Sequence, residues 1–148
     1  MKKRNEFRCV ECGEGKVRPL AKQGRQTRHK TMMLEVPADL EIPTCGHCGA
    51  EWFDDATARA VDEALEGIYR HELRERVRAA IDTLTEHVSQ RKMERMLGLS
   101  HGYLSKLRNG SCDPSPELVG NLALLAHDPK RRIRELVEYW GVSDDDAA

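Results

Sequence analysis

The sequence predicts an α+β fold, with a small β domain followed by an all-helical domain. Two cysteine pairs of identical spacing flank a stretch of short extended segments punctuated by glycine and proline. After Asp54, apolar residues recur every three to five positions, which is typical of amphipathic helices. We expect a cysteine-bearing domain with its following helix over residues 1–67, a helical domain over 68–142 and an acidic tail over 143–148.

The cysteine pairs lie in the segments CVECG and CGHCG, at Cys9, Cys12, Cys45 and Cys48. A two-residue gap lets both sulfurs of a tight turn point to one centre, and the glycine that follows permits the left-handed backbone such a turn needs. The 32 residues between Cys12 and Cys45 exceed the ~15–20 of the commonest finger spacing. We therefore predict a zinc-ribbon-like domain with one structural Zn²⁺.

Two alternatives to zinc remain open at this point, a rubredoxin-like iron site and disulfides. Rubredoxin-like proteins are acidic and aromatic around the metal, whereas this insert is basic and has no aromatic residue between Phe7 and Trp52. Disulfides are less expected in a reducing compartment. His29 and His47 could be spare ligands, but four thiolates already complete a tetrahedral shell, so we interpret both as surface residues. Cys112 is interpreted as a half-buried residue without an assigned role.

Between the cysteine pairs, we predict strands over Lys16 to Leu20 and Thr27 to Val36, with a third through Leu40 and Ile42. Gly24 is expected in the turn between the first two strands. Prolines 37 and 43 should confine the last extended pieces to sheet edges, because proline cannot donate to a strand ladder.

The segment after the second cysteine pair is predicted to be helical, with Asp54 or Asp55 as its N-cap. Gly67 costs about 1 kcal/mol relative to alanine within a helix, so we expect two helices to meet or flex there and place the domain boundary at this residue. Towards the end of the chain, Ser115 and Pro116 should begin a helix that reaches about Ala126. A last helix is predicted over residues 130–140 and should end at a glycine, Gly141.

Residues 89–110 carry the pattern of a helix-turn-helix, in which the second helix enters the DNA major groove. Ser89 and Ser100 are predicted N-caps of the two helices, and Gly98 supplies the turn. Apolar residues recur at five positions, which are Met93, Leu97, Leu99, Leu104 and Leu107. The alternative is a plain helical hairpin with a solvated charged surface.

Leu104 and Leu107 should face inward, which leaves the opposite face of the second helix for DNA. Gln90 should lie at the amide-rich start of the first helix, close to a phosphate. Glu94 occupies a position where a small residue is usual, because the two helices approach closely there. We expect it either to lean out to solvent or to widen the angle at which the helices cross. The predicted DNA-binding residues are Gln90, Arg91, His101, Gly102, Tyr103, Ser105, Lys106 and Arg108.

Net charge is −1, but the first 30 residues contain ten Lys or Arg against three Glu. This basic segment has three readings: a surface for nucleic acid, a surface for an acidic protein partner, or a solvated face. No GxGxxG motif or nucleophile–base arrangement indicates an enzyme. The absence of a signal-peptide core and of a long apolar run predicts a cytoplasmic protein that does not span a membrane.

The order of these parts resembles the MqsA-type antitoxins, which combine an N-terminal zinc domain with a C-terminal Xre-type helix-turn-helix. The motifs that carry the resemblance are CVECG, VPADLEIP, CGHCG and SQRKMERMLGLSHGYLSKLRNGSCDPSP. The resemblance implies a homodimer formed through the C-terminal domain, which binds a palindromic double-stranded DNA operator and represses its own operon. It also implies that the N-terminal domain holds a cognate toxin protein.

Family members often carry Asn and Arg on the outer face of the recognition helix, where this chain has Gly102 and Lys106. The same operator is therefore not expected. The alternative function is a stand-alone zinc-containing regulator or adaptor, whose N-terminal domain binds another protein or RNA.

Overall fold

The computed structural model describes residues 6–141, and the chain divides into two compact units between Tyr69 and Arg70. The first unit contains small antiparallel sheets and the second is helical, so the predicted α+β fold class is confirmed. The predicted acidic tail lies outside the described residues, as do the first three cations of the basic N-terminal segment. Within residues 6–141, none of the helices combines the length and the apolar character needed to span a bilayer.

The first unit has five strands in two antiparallel sheets: β1 (Phe7–Arg8), β2 (Lys16–Ala21), β3 (Gln26–His29), β4 (Met32–Glu35) and β5 (Glu41–Cys45). The three-stranded sheet has the order β1-β2-β5, and β3 pairs with β4 as a hairpin. Val17 of β2 lies opposite both Phe7 and Cys45 and is fully buried. Pro43 lies in the edge strand β5, opposite Pro19. Neither proline has a backbone N–H, so neither leaves a donor unpaired between the two strands.

The predicted strand from Thr27 to Val36 is wrong as a single strand. Lys30 has a positive φ of 50°, and the chain turns there so that His29 pairs with Met32. Because the chain turns back on itself, Met32, Leu34 and Val36 are buried, in keeping with the alternation of a half-buried strand. A lysine is an unusual residue for a left-handed conformation, so nothing in the local sequence marks this turn.

The five helices are α1 (Asp55–Thr85), α2 (Gln90–Met96), α3 (Tyr103–Arg108), α4 (Pro116–His127) and α5 (Pro129–Trp140). The N-cap of α1 is Asp54, whose carboxylate accepts the Thr57 amide at 2.7 Å. A junction of two separate helices at Gly67 is wrong, because α1 continues through it. Leu65, Tyr69 and Leu73 are buried around that position, and the burial of this stripe outweighs the cost of one glycine.

Three of the four later helices have the predicted caps. The Ser89 hydroxyl accepts the Lys92 amide and the Ser115 hydroxyl accepts the Leu118 amide, both at 3.2 Å. Gly141 ends α5 with a φ of 65°. The core of the second unit consists of fully buried side chains from α1 to α4, among them Ile81, Leu84, Met93, Leu104, Leu107 and Leu122.

Candidate metal centre and nucleic-acid interface

The four predicted cysteine ligands come together, with their sulfur atoms all within 4.8 Å of one another. The Sγ atoms of Cys9 and Cys48 are 3.7 Å apart, and those of Cys12 and Cys45 are 3.8 Å apart. A tetrahedral ion with metal–sulfur bonds of about 2.3 Å sets its sulfurs roughly 3.8 Å apart. Because a disulfide needs an S–S distance of about 2.05 Å, the arrangement is that of four free thiols that could hold a metal ion.

Each of the two CxxCG turns, called knuckles below, is shaped by its glycine, as the sequence predicts. Gly13 has a φ of 65° and donates to the Cys9 carbonyl, while Gly49 has a φ of 75° and donates to the Cys45 carbonyl. In this geometry, other amides of the turns point at the sulfurs. The Gly15 amide donates to Cys12 Sγ at 3.4 Å, and the His47 amide donates to Cys45 Sγ at 3.4 Å.

These amides and the crowding of four sulfurs act on the thiol pKa values in opposite directions. Backbone amides at Cys48 and His47 lower the pKa of Cys45 to about 6. The Ala50 amide also acts to lower the pKa of Cys48, but desolvation and the three neighbouring thiols raise it to about 12. Four thiolates at this spacing repel one another, so full ionisation calls for a cation at their centre.

An apolar layer lies against the cluster. Val17 packs with the two buried cysteines, Cys9 and Cys45, and the partly buried Trp52 packs against this group. Phe7 meets Trp52 edge-on, with ring centroids 5.5 Å apart. The two aromatic residues that bound the basic insert are therefore brought together beside the site, so the lack of aromatic residues between them does not argue against iron.

The two histidines have different environments. His47 is exposed, as predicted, and its Nε2 lies 3.0 Å from a Glu14 carboxylate oxygen. The prediction of a surface position for His29 is wrong, because His29 is buried, its Nε2 lies 3.0 Å from Glu66 and its ring meets Tyr69 edge-on. Among the described residues, the sulfur cluster includes neither histidine.

Gly15 offers a test of how closely the two knuckles approach. A Cβ added at Gly15 would collide with Cys45 Sγ and would lie 2.7 Å from the His47 Cβ. We expect Gly15→Ala to destabilise the metal-loaded unit by about 1–3 kcal/mol, the usual cost of overpacking, and to lower metal retention against a chelator. The measurement is metal release followed by a chromogenic chelator.

The matched control for this variant is Gly46→Ala. Gly46 also lies in a knuckle, but its added Cβ would meet only the Lys16 carbonyl oxygen, at 4.0 Å. Equal metal release from the two variants would contradict the close approach at Gly15.

The second unit contains the predicted helix-turn-helix, formed by α2, the turn over residues 97–102 and α3. Gly98 has a φ of 66° and supplies the turn, as predicted. Leu104 and Leu107 are buried beneath α3. The predicted N-cap at Ser100 is wrong: α3 begins at Tyr103, after Gly102 in a left-handed conformation with a φ of 80°.

The predicted DNA-binding residues fall into two groups by exposure. The exposed ones are Arg91, His101, Ser105, Lys106 and Arg108, and the half-buried ones are Gln90, Gly102 and Tyr103. Arg108 forms an ion pair with Asp82 of α1, with 2.7 Å between Nη2 and Oδ1. The Gln90 amide nitrogen lies 2.8 Å from Ser105 Oγ, which ties the start of α2 to the outer face of α3.

Of the two expectations for Glu94, a side chain that leans out to solvent is wrong, because Glu94 points inward and is only 2% exposed. One of its carboxylate oxygens accepts the Gly102 amide at 3.1 Å, and the other accepts the Leu104 amide at 3.0 Å. Burial alone would raise the pKa of Glu94, but these two amides, the Gln90 amide and His101 lower it. Glu94 therefore caps the first turn of α3 from the neighbouring helix.

No protein-family model matches this chain, and no curated protein matches it.

Proposed function

We propose that the protein is a sequence-specific DNA-binding protein that reads the major groove with α3. The observation that carries the proposal is the exposed side of α3, where Ser105 and Lys106 stand above the buried Leu104 and Leu107. Between residues 86 and 110 there are five Lys or Arg against two Glu. Because Glu94 is turned inward, its carboxylate is bound to the amides of Gly102 and Leu104 and does not itself face a phosphate.

The metal that we propose for the four cysteines is one structural Zn²⁺. Four protein ligands fill a tetrahedral shell and leave no open position for a substrate. The ion is therefore proposed to stabilise the first unit and to take no part in a reaction, in keeping with a protein that is not an enzyme.

We further propose that the DNA-binding protein is an antitoxin of the MqsA type, which represses its own operon as a homodimer on a palindromic operator and binds a cognate toxin. The resemblance in the order of motifs is what supports this role. Exposed apolar side chains on α4 and α5 are compatible with a dimer: Leu124 is 66% exposed and Trp140 is 57% exposed. A small basic toxin-like gene beside this one would support the antitoxin role.

The second candidate is a zinc-containing adaptor whose first unit binds an acidic protein or RNA. It is favoured by the register of β1 and β2, which places Arg8 directly opposite Lys16, with both residues exposed. Like charges in this position destabilise a strand pair, and an anionic partner would relieve the repulsion. The absence of a neighbouring toxin gene would favour this adaptor.

The test of DNA binding compares two cation variants on a site selected from random duplexes. Lys106→Ala should cost about 1–3 kcal/mol of discrimination between bases at one base pair. Arg91→Ala should weaken binding to every DNA sequence and reduce the slope of log affinity against log salt concentration by about 1. Fluorescence anisotropy at several salt concentrations measures both effects.

The control is Arg76→Ala, which removes an exposed arginine of α1 that lies 3.7 Å from Glu72. This variant should bind DNA as the wild-type protein does. If neither Lys106→Ala nor Arg91→Ala differs from this control, the placement of α3 in the groove is wrong.

A further inference from the structure

A chain of hydrogen bonds leads from buried Glu94 to the exposed side of α3. Glu94 Oε1 lies 3.1 Å from Gln90 Nε2, and the same nitrogen lies 2.8 Å from Ser105 Oγ. Ser105 is exposed, in the part of α3 that the proposed function places against DNA. The chain therefore joins a buried charge to a side chain that would face bases.

Glu94 fixes the direction of this chain because an ionised carboxylate only accepts hydrogen bonds. The amide of Gln90 must therefore turn its NH₂ group towards Glu94. That group has two hydrogens, and its nitrogen lies within hydrogen-bond distance of Ser105 Oγ as well, so the second hydrogen is available to Ser105. Ser105 thus receives a hydrogen bond from Gln90.

A hydroxyl that accepts one hydrogen bond keeps its own hydrogen to donate. In the protein without DNA, Gln90 Oε1 lies 3.1 Å from Ser105 Oγ and takes that hydrogen. A strong acceptor on the outer side can replace this contact by a rotation about one bond. In the major groove, the acceptor that both guanine and adenine present is N7.

We propose that Ser105 donates a hydrogen bond to a purine N7 in the major groove, and that Glu94 and Gln90 hold its hydroxyl in the donor role. This inference rests on the proposed DNA-binding function and adds the chemical group that is read. Ser105 is the contact residue, while Glu94 is a positioning residue that acts through Gln90.

The test begins with the full-length, metal-loaded protein and a site selected from random duplexes. Each purine of that site is replaced in turn by its 7-deaza analogue, which lacks the N7 acceptor and keeps Watson–Crick pairing. The wild-type protein should lose about threefold to tenfold in affinity at one purine, the worth of a single hydrogen bond. Ser105→Ala should show no loss at that same purine.

Glu94→Gln tests the positioning role, because glutamine offers a donor as well as an acceptor and so frees the Gln90 amide to turn over. The loss at the same purine should shrink in this variant although Ser105 is intact. Glu117→Gln, a matched change at an exposed glutamate of α4, should keep the full loss. Ser105→Ala changes an exposed side chain, so it tests the contact even if Glu94→Gln folds poorly.

The possible failures are distinguishable. If Ser105→Ala loses as much affinity as the wild-type protein at every 7-deazapurine, the contact is overturned and DNA binding stands. If Ser105→Ala shows no loss at that purine but Glu94→Gln loses as much affinity there as the wild-type protein, the contact stands and the positioning role is overturned. If the wild-type protein selects no duplex sequence, the proposed function fails and this inference fails with it.

Discussion

Replacing Cys45 with serine is expected to unfold the first unit at neutral pH. Apparent binding free energies of structural zinc sites are about 10–16 kcal/mol, which is comparable to or larger than the ~5–15 kcal/mol that stabilises a typical domain. Cys45 is buried and joins the cluster from the end of β5, so losing its thiolate removes both a ligand and the anchor of that strand. Metal content by mass spectrometry and limited proteolysis of the first unit measure the result.

Cys112→Ser is the matched control, because Cys112 is a free thiol of the second unit and lies outside the sulfur cluster. It should retain a full equivalent of metal and the proteolytic resistance of the wild-type protein. Iron in the purified protein would contradict zinc. A metal-free Cys45→Ser protein that resists proteolysis as well as wild type would contradict a structural role for the ion.

The parts of the molecule that the sequence predicts correctly depend on short-range chemistry. The sulfur cluster follows from two CxxCG segments, in which Gly13 and Gly49 take the positive φ that each turn requires. The caps at Ser89 and Ser115 bind amides three residues ahead, so their signal lies within one turn of helix.

Two of the incorrect predictions, those for Glu94 and His29, involve contacts between residues far apart in the sequence. Glu94 accepts amides eight and ten residues ahead, at Gly102 and Leu104, whereas the local capping pattern spans about three residues. His29 is buried by its contact with Glu66, which lies on α1. In each case, a polar residue that would be solvated in isolation is buried because the tertiary fold supplies a hydrogen-bond partner.

Gly67 illustrates the opposite error, in which a local signal is present and is overridden. The glycine lowers helix propensity at one position, but α1 buries apolar residues on both sides of it, including Leu65 and Leu73. Propensity therefore predicts a break that packing removes.

Glu94→Ala is expected to destabilise the second unit by about 2–4 kcal/mol, because two backbone amides at the start of α3 lose their acceptor. The Leu104 amide is buried, so water cannot reach it to replace the lost carboxylate as hydrogen-bond acceptor. Urea unfolding followed by circular dichroism measures the change. Glu86→Ala, at an exposed position before α2, is the control and should stay within about 0.5 kcal/mol of the wild-type protein.

The stabilisation that the Glu94 carboxylate gives to the second unit should depend on pH in a defined direction. Because the pKa of Glu94 in the folded protein is lower than its usual value of 4.5, ionisation favours the folded state. The stabilisation is therefore complete above pH 4.5 and is lost as the pH falls through the lower folded-state pKa. The difference in unfolding free energy between the wild-type protein and Glu94→Gln should shrink on acidification below that value. A difference that stays constant from neutral pH to well below 4.5 would show that the charge of Glu94 does not hold the first turn of α3 in place.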